Sequence, residues 1–128
     1  MSRRDAREVA FKLIFEYSFS EEEKREVFEE YTVGLSEDDK SYVGEVYFGV
    51  TSHYDELVEK ISSNIEKFSF ERLYKVDLAL LLLATYEIIY MSSIPYKVSV
   101  DEVLNLAKKY STEKSTKYIN GVLAKFAR

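Results

Sequence analysis

The chain has 128 residues, of which 46% are apolar and 15% aromatic, with a net charge of −5. That is enough apolar side chain for one core-bearing domain or two small helical lobes, and it excludes a disordered chain. Cysteine is absent, so disulfides, thiolate metal sites and cysteine nucleophiles are excluded, and the longest apolar run, Leu78 to Ala84, is far too short to span a membrane.

Four glycines and one proline leave little material for the turns of a many-stranded sheet, so the expected class is all-α. Residues 3–19 predict the first helix. Ser2 is its N-cap, and Val9, Ala10, Leu13, Ile14 and Tyr17 recur at three and four. Ser20-Glu21-Glu22-Glu23 reads as a capping box opening a short second helix to about Glu30, with Val27, Phe28 and Tyr31 on its buried side. Gly34 breaks the chain, and Ser36 caps a third helix. That helix keeps apolar spacing from Tyr42 to Ile65, with Gly49 inside it as the place for a bend or a close neighbour. A hinge is expected near residues 68–74.

Val76 to about Met91 predicts a central helix. Its "LALLLLA" segment is apolar on every side and calls for burial among several neighbours. Pro95 ends that region. A helix from about Val98 to Tyr110 follows, with Val100, Val103, Leu104 and Ala107 on one face. Ser111 or Thr112 starts the last helix, whose apolar face holds Ile119, Val122, Leu123 and Phe126. Gly121 in mid-helix predicts close approach of another helix, and Asn120 a hydrogen bond across that junction.

Charge is unevenly spread. From Lys108 onward six cations (108, 109, 114, 117, 125 and 128) face one acid, Glu113. Residues 1–15 carry four cations against two acids, so both ends are basic and the middle is strongly acidic. The N-terminus, Met-Ser-Arg-Arg-Asp, precedes no uninterrupted apolar region, so no secretory signal is expected and a cytoplasmic location suits the sequence. His53 is the only histidine and has no base–orienter set around it in sequence. The glycines are scattered rather than forming a phosphate loop. The expectation is therefore a protein that is not an enzyme and needs no cofactor or metal.

Two basic signals remain, each with two readings. Arg3, Arg4 and Arg7 are helical neighbours and form either a phosphate-binding edge or a solvated face. Lys114, Lys117, Tyr118 and Gly121 fall along one stripe. Tyr118 is either a platform for a stacked base flanked by lysines or a core tyrosine.

Several segments together carry a resemblance: Leu83-Ala84-Thr85-Tyr86-Glu87; Ile94 to Val98; Glu102 with Leu106-Ala107-Lys108; Ser115-Thr116-Lys117-Tyr118-Ile119-Asn120-Gly121-Val122-Leu123; and the opening Arg3-Arg4-Asp5-Ala6-Arg7-Glu8. The sequence resembles the NusB family of transcription antitermination factors, specifically over 3–15 and 76–126 and loosely between about 20 and 70. The resemblance implies two packed helical bundles of six to seven helices, about 1–70 and 71–128, within one NusB-like domain. It implies binding of boxA RNA together with NusE, a small ribosomal subunit protein. The pair would join the elongating RNA polymerase complex with other Nus factors, in support of ribosomal RNA transcription.

Carried onto this chain, the RNA side comprises Arg3, Arg4, Arg7 and Tyr118 with Lys114 and Lys117, and the partner side comprises Phe15 and Asp77. Three positions depart from the family pattern. Leu82 stands where an arginine is usual, which removes any ion pair there. Tyr118 replaces phenylalanine, keeping the stacking face and adding a hydroxyl. Lys114 replaces a frequent acid, which favours RNA. NusB-like domains also open some RNA methyltransferases, but no methyl-donor domain is expected in 128 residues. A helical protein-interaction module without RNA binding is the alternative function, and a homodimer that hides the RNA face is left open.

Overall fold

The structure, a computed structural model, describes residues 2–66 and 70–127. Among these residues seven helices form two packed bundles, as the sequence predicts for fold class. In chain order they are α1 (Arg3–Ser20), α2 (Arg25–Tyr31), α3 (Glu37–Ser52), α4 (Tyr54–Ser62), α5 (Lys75–Tyr90), α6 (Tyr96–Tyr110) and α7 (Glu113–Ala124). Helix α5 packs against α1, α3, α4, α6 and α7. That position explains its sequence: every residue from Ala79 to Ile88 is buried. Each fully buried leucine there contributes about 1.5–3 kcal/mol relative to exposure. Leu82, where the resemblance leads one to expect an arginine, is one of them.

Side-chain caps set the starts of α1, α3 and α7. Ser2 accepts from the Asp5 N–H at 3.3 Å while the Asp5 carboxylate accepts from the Ser2 N–H at 2.8 Å, a reciprocal box. Ser36 caps α3 by accepting from the Asp39 N–H, and Thr112 caps α7 by accepting from the Ser115 N–H. Such caps are worth about 1 kcal/mol each. Gly34 takes a φ of 89° in the turn before α3, a conformation that favours glycine.

The sequence misplaces three features. Ser20-Glu21-Glu22-Glu23 is not the start of α2, because α1 runs on through Ser20 and ends at Glu21. That residue turns left-handed (φ 54°) and donates its N–H to Tyr17 O at 2.7 Å. Helix α2 opens at Arg25 without a side-chain cap; the Lys24 N–H donates instead to the Tyr47 hydroxyl at 3.0 Å. The long third helix is two helices broken at His53, whose N–H and Nδ1 both lie at the Gly49 carbonyl, 3.0 and 2.9 Å away. Apolar spacing continues across the break because α3 and α4 both pack on α5, so the period does not register it.

Gly49 does meet a close neighbour: a Cβ there would lie 2.2 Å from Cζ of Tyr86. Gly121 does not. It is exposed, a Cβ there would meet nothing within 4 Å, and Asn120 beside it faces solvent. With no packing reason for glycine in α7, Gly121→Ala is expected to raise stability by about 0.5–1 kcal/mol, read as an increased urea midpoint at unchanged slope. The expected hinge at 68–74 lies partly outside the described residues.

Candidate nucleic-acid interface

The arginine-rich opening of α1 is not a free cationic edge. Arg7 points inward and is 4% exposed. Its Nε donates to Glu87 Oε2 at 2.8 Å and its Nη2 to Oε1 at 3.2 Å. Glu87, fully buried on α5, also accepts from Ser99 Oγ at 2.8 Å and from the Tyr42 hydroxyl, so one carboxylate ties α1, α3, α5 and α6 together. Burial, and then the Glu87 charge, push the Tyr42 phenol well above its ordinary range, which keeps it protonated and donating. Burial is the largest single influence and works against the Arg7 charge, but the hydrogen bond to Glu87 together with the charges of Glu87 and Glu102 and the Tyr42 hydroxyl outweigh it, and the guanidinium stays charged.

Arg3 donates to Asp39 Oδ1 at 2.9 Å and lies over the Tyr42 ring at 4.6 Å. Arg4 makes two parallel bonds to Glu102, both 3.0 Å. Three arginines thus face three carboxylates, Asp39, Glu87 and Glu102, and the cluster is neutral at rest. Glu8 is taken by Lys109 Nζ at 2.7 Å and by the Tyr110 hydroxyl. These pairs make a pH signature. The Lys109 hydrogen bond lowers the Glu8 carboxyl, and the Arg4 hydrogen bond lowers that of Glu102. A depressed folded value gives stability that is present above the ordinary glutamate value of 4.5 and lost as pH falls through the depressed one. Thermal midpoints should therefore hold steady near neutrality and fall below that pH, with Lys109→Ala flattening part of the decline.

The second cationic region is built differently. The start of α7 faces the segment before α5 across a cleft of about 520 Å³ lined by Arg72, Tyr74, Asp77, Lys114, Ser115 and Tyr118, among others. Tyr74 is 67% exposed. Tyr118 is half-buried and packs against the core on one side while lining the cleft on the other. Lys114 and Lys117 are exposed and make no ion pair among the described residues. Asp77, assigned from the resemblance to a partner, is 3% exposed. It accepts from Ser111 Oγ at 2.6 Å and Ser115 Oγ at 2.7 Å and so ties both the end of α6 and the first turn of α7 to α5.

Near the end of α1, half-buried Phe15 meets Phe19 edge-on at 5.0 Å, and Phe19 is 63% exposed. Lys75 lies over the Phe19 ring and donates to Ser18 O at 3.1 Å, which joins the end of α1 to the start of α5. The structure therefore brings Asp77, Lys114 and Tyr118 to one cleft and Arg3, Arg4 and Arg7 to another. Lys117 is not among the residues that line either cleft. Arg72 and Tyr74 escaped the sequence reading. Their signal is the cation–aromatic alternation of Phe70-Glu71-Arg72-Leu73-Tyr74-Lys75, read there only as a hinge.

No group of three or more metal-ligating side chains is assembled among the described residues, and no described helix is long and apolar enough to cross a membrane. The class so defined is an all-helical two-bundle protein whose surface offers cation–aromatic clefts. Comparison with known proteins gives the particular family. The NusB family model matches residues 4–128, and the chain belongs to that family. Among curated relatives, the transcription antitermination protein NusB of Clostridium novyi is 42% identical over 127 residues, covering 96% of both chains. That of Natranaerobius thermophilus is 41% identical, covering 99% of this chain and 95% of its own. Among solved structures, NusB of T. maritima superimposes with a TM-score of 0.91 at 33% identity, over 99% of this chain and 91% of that one. A chain in the crystal structure of antitermination factors NusB and NusE in complex with dsRNA gives 0.86 at 27% identity, over 97% and 94%. The family functions in transcription antitermination and is non-catalytic.

Proposed function

We propose that this chain binds boxA RNA together with NusE, and that the pair joins the elongating RNA polymerase complex with other Nus factors in the cytoplasm to support ribosomal RNA transcription. The observation that carries this is the cleft at the start of α7, lined by the aromatic side chains of Tyr118 and Tyr74 together with the cations Lys114 and Arg72. Stacking plus basic backbone contacts is how single-stranded RNA is commonly held. Arg3 and Arg4 extend the RNA side, Lys117 contributes charge from α7, and Arg7 acts from beneath through Glu87. The partner side centres on Phe15 and Phe19, with Asp77 acting through α7. A relative's structure with NusE and dsRNA supports the same type of partners.

One observation favours the second reading, a protein-interaction module without RNA binding: the three arginines are already neutralised by carboxylates. Titrating labelled boxA RNA at several salt concentrations, with and without NusE, decides between them. The RNA-binding reading expects affinity to fall with salt at a slope of roughly 0.7 per phosphate contact, and RNA and NusE each to tighten the other. Absent or salt-insensitive binding supports the second reading.

A further inference from the structure

We propose that Glu102 is a resident stand-in for an RNA phosphate: in the free protein its carboxylate fills the fork of Arg4, and a phosphodiester must displace it. Glu102 then sets the RNA affinity of this end of the molecule. The inference rests on the RNA-binding reading above and adds a determinant that the family motif does not assign.

The geometry is that of a reversible latch. Arg4 Nε and Nη2 each lie 3.0 Å from a different oxygen of Glu102, the two-bond fork that a phosphate also accepts. The Arg4 side chain is 69% exposed and that of Glu102 only 16%, so the carboxylate holds the guanidinium from below while its outer side faces solvent. A polyanion can therefore reach Arg4 without moving the backbone. Glu102 does not lose all compensation when Arg4 leaves, because Arg7 Nη1 stands 3.8 Å from it. Glu87 cannot play this part, being fully buried and bound to Arg7. The cleft beside the latch, about 630 Å³, has Arg3 and Arg4 on its polar side and Ile94, Pro95 and Val98 on its apolar side. That leaves an apolar wall for a ribose or base next to the displaced carboxylate.

The test compares Glu102→Gln with Asp101→Asn in the full chain, using a labelled single-stranded boxA RNA at low salt. Asp101 is the adjacent, exposed acid, so both variants change net charge equally. Exposed ion pairs are worth little, so Glu102→Gln should bind about two- to fivefold more tightly than the parent. Asp101→Asn should gain less, and combining Glu102→Gln with Arg4→Ala should return affinity to that of Arg4→Ala alone. Circular dichroism melts establish that each variant is folded. If the parent binds RNA but Glu102→Gln gains no more than Asp101→Asn, the latch is wrong and the RNA-binding reading stands. If neither parent nor variant binds RNA, with or without NusE, both fall.

Discussion

Arg7→Ala is expected to lower folding stability by about 3–5 kcal/mol, the usual cost of breaking a buried ion pair from one side. Glu87 is fully buried, and with Arg7 gone its charge is left with only the Tyr42 and Ser99 hydroxyls. A loss of that size corresponds to a drop of roughly 10–25 °C in thermal midpoint for a chain of this length. Replacing both partners, as in Arg7→Leu with Glu87→Leu, should cost far less, because no unpaired charge remains. Urea unfolding of the single and double variants measures the difference. A single variant as stable as the parent would show that the pair does not hold α1 to α5. The consequence for function is practical: RNA binding lost in Arg7→Ala reports unfolding, whereas Arg4→Ala reports the surface.

The second large effect is expected at Asp77. Asp77→Ala removes the acceptor of two serine hydroxyls, one at the C-cap of α6 and one in the first turn of α7, and hydrogen bonds to a charged group are worth about 1.5–3 kcal/mol each. Allowing for water reaching Ser111, the expected loss is about 2–3 kcal/mol. Amides of Ser115 and Thr116 should exchange faster, because the anchor of that turn has gone. RNA affinity of the NusE-free protein should fall as well, since Lys114 and Tyr118 ride on the same helix. If Asp77→Ala instead weakened only NusE binding, with α7 exchange and RNA affinity unchanged, Asp77 would be a direct partner contact.

Much of the fold was readable from local pattern. The caps at Ser2, Ser36 and Thr112 and the all-round apolar α5 are short-range signals, and a single segment carries each of them, whereas Pro95, read as an end, is the N-cap that opens α6 five residues after α5 has stopped at Tyr90. The break at His53 was not readable, because it changes direction without changing which face is apolar. The continuation of α1 through Ser20 defeated the capping-box reading there, since a serine followed by acids marks a helix start only if the preceding helix has already ended.

The candidate site was legible in composition and not in pairing. Arg3, Arg4 and Arg7 stand out as cations, yet their partners lie 36, 98 and 80 residues away, and spacing along one helix says nothing of them. For the same reason Asp77 looks like an available acid until the chain returns at Ser111 and Ser115. Tyr118 was the reverse case: its two readings competed in sequence, and the structure gives it a core side and a cleft side at once.

The most direct measurement of the central claim is the affinity of the NusE-free chain for labelled boxA RNA, parent against Tyr118→Ala and Lys114→Ala, each variant first shown to be folded. Loss of base stacking is worth about 1–3 kcal/mol, so Tyr118→Ala should bind roughly 5- to 150-fold more weakly, and Lys114→Ala should weaken binding while reducing its salt dependence. Folded variants that bind boxA RNA as tightly as the parent would contradict the account.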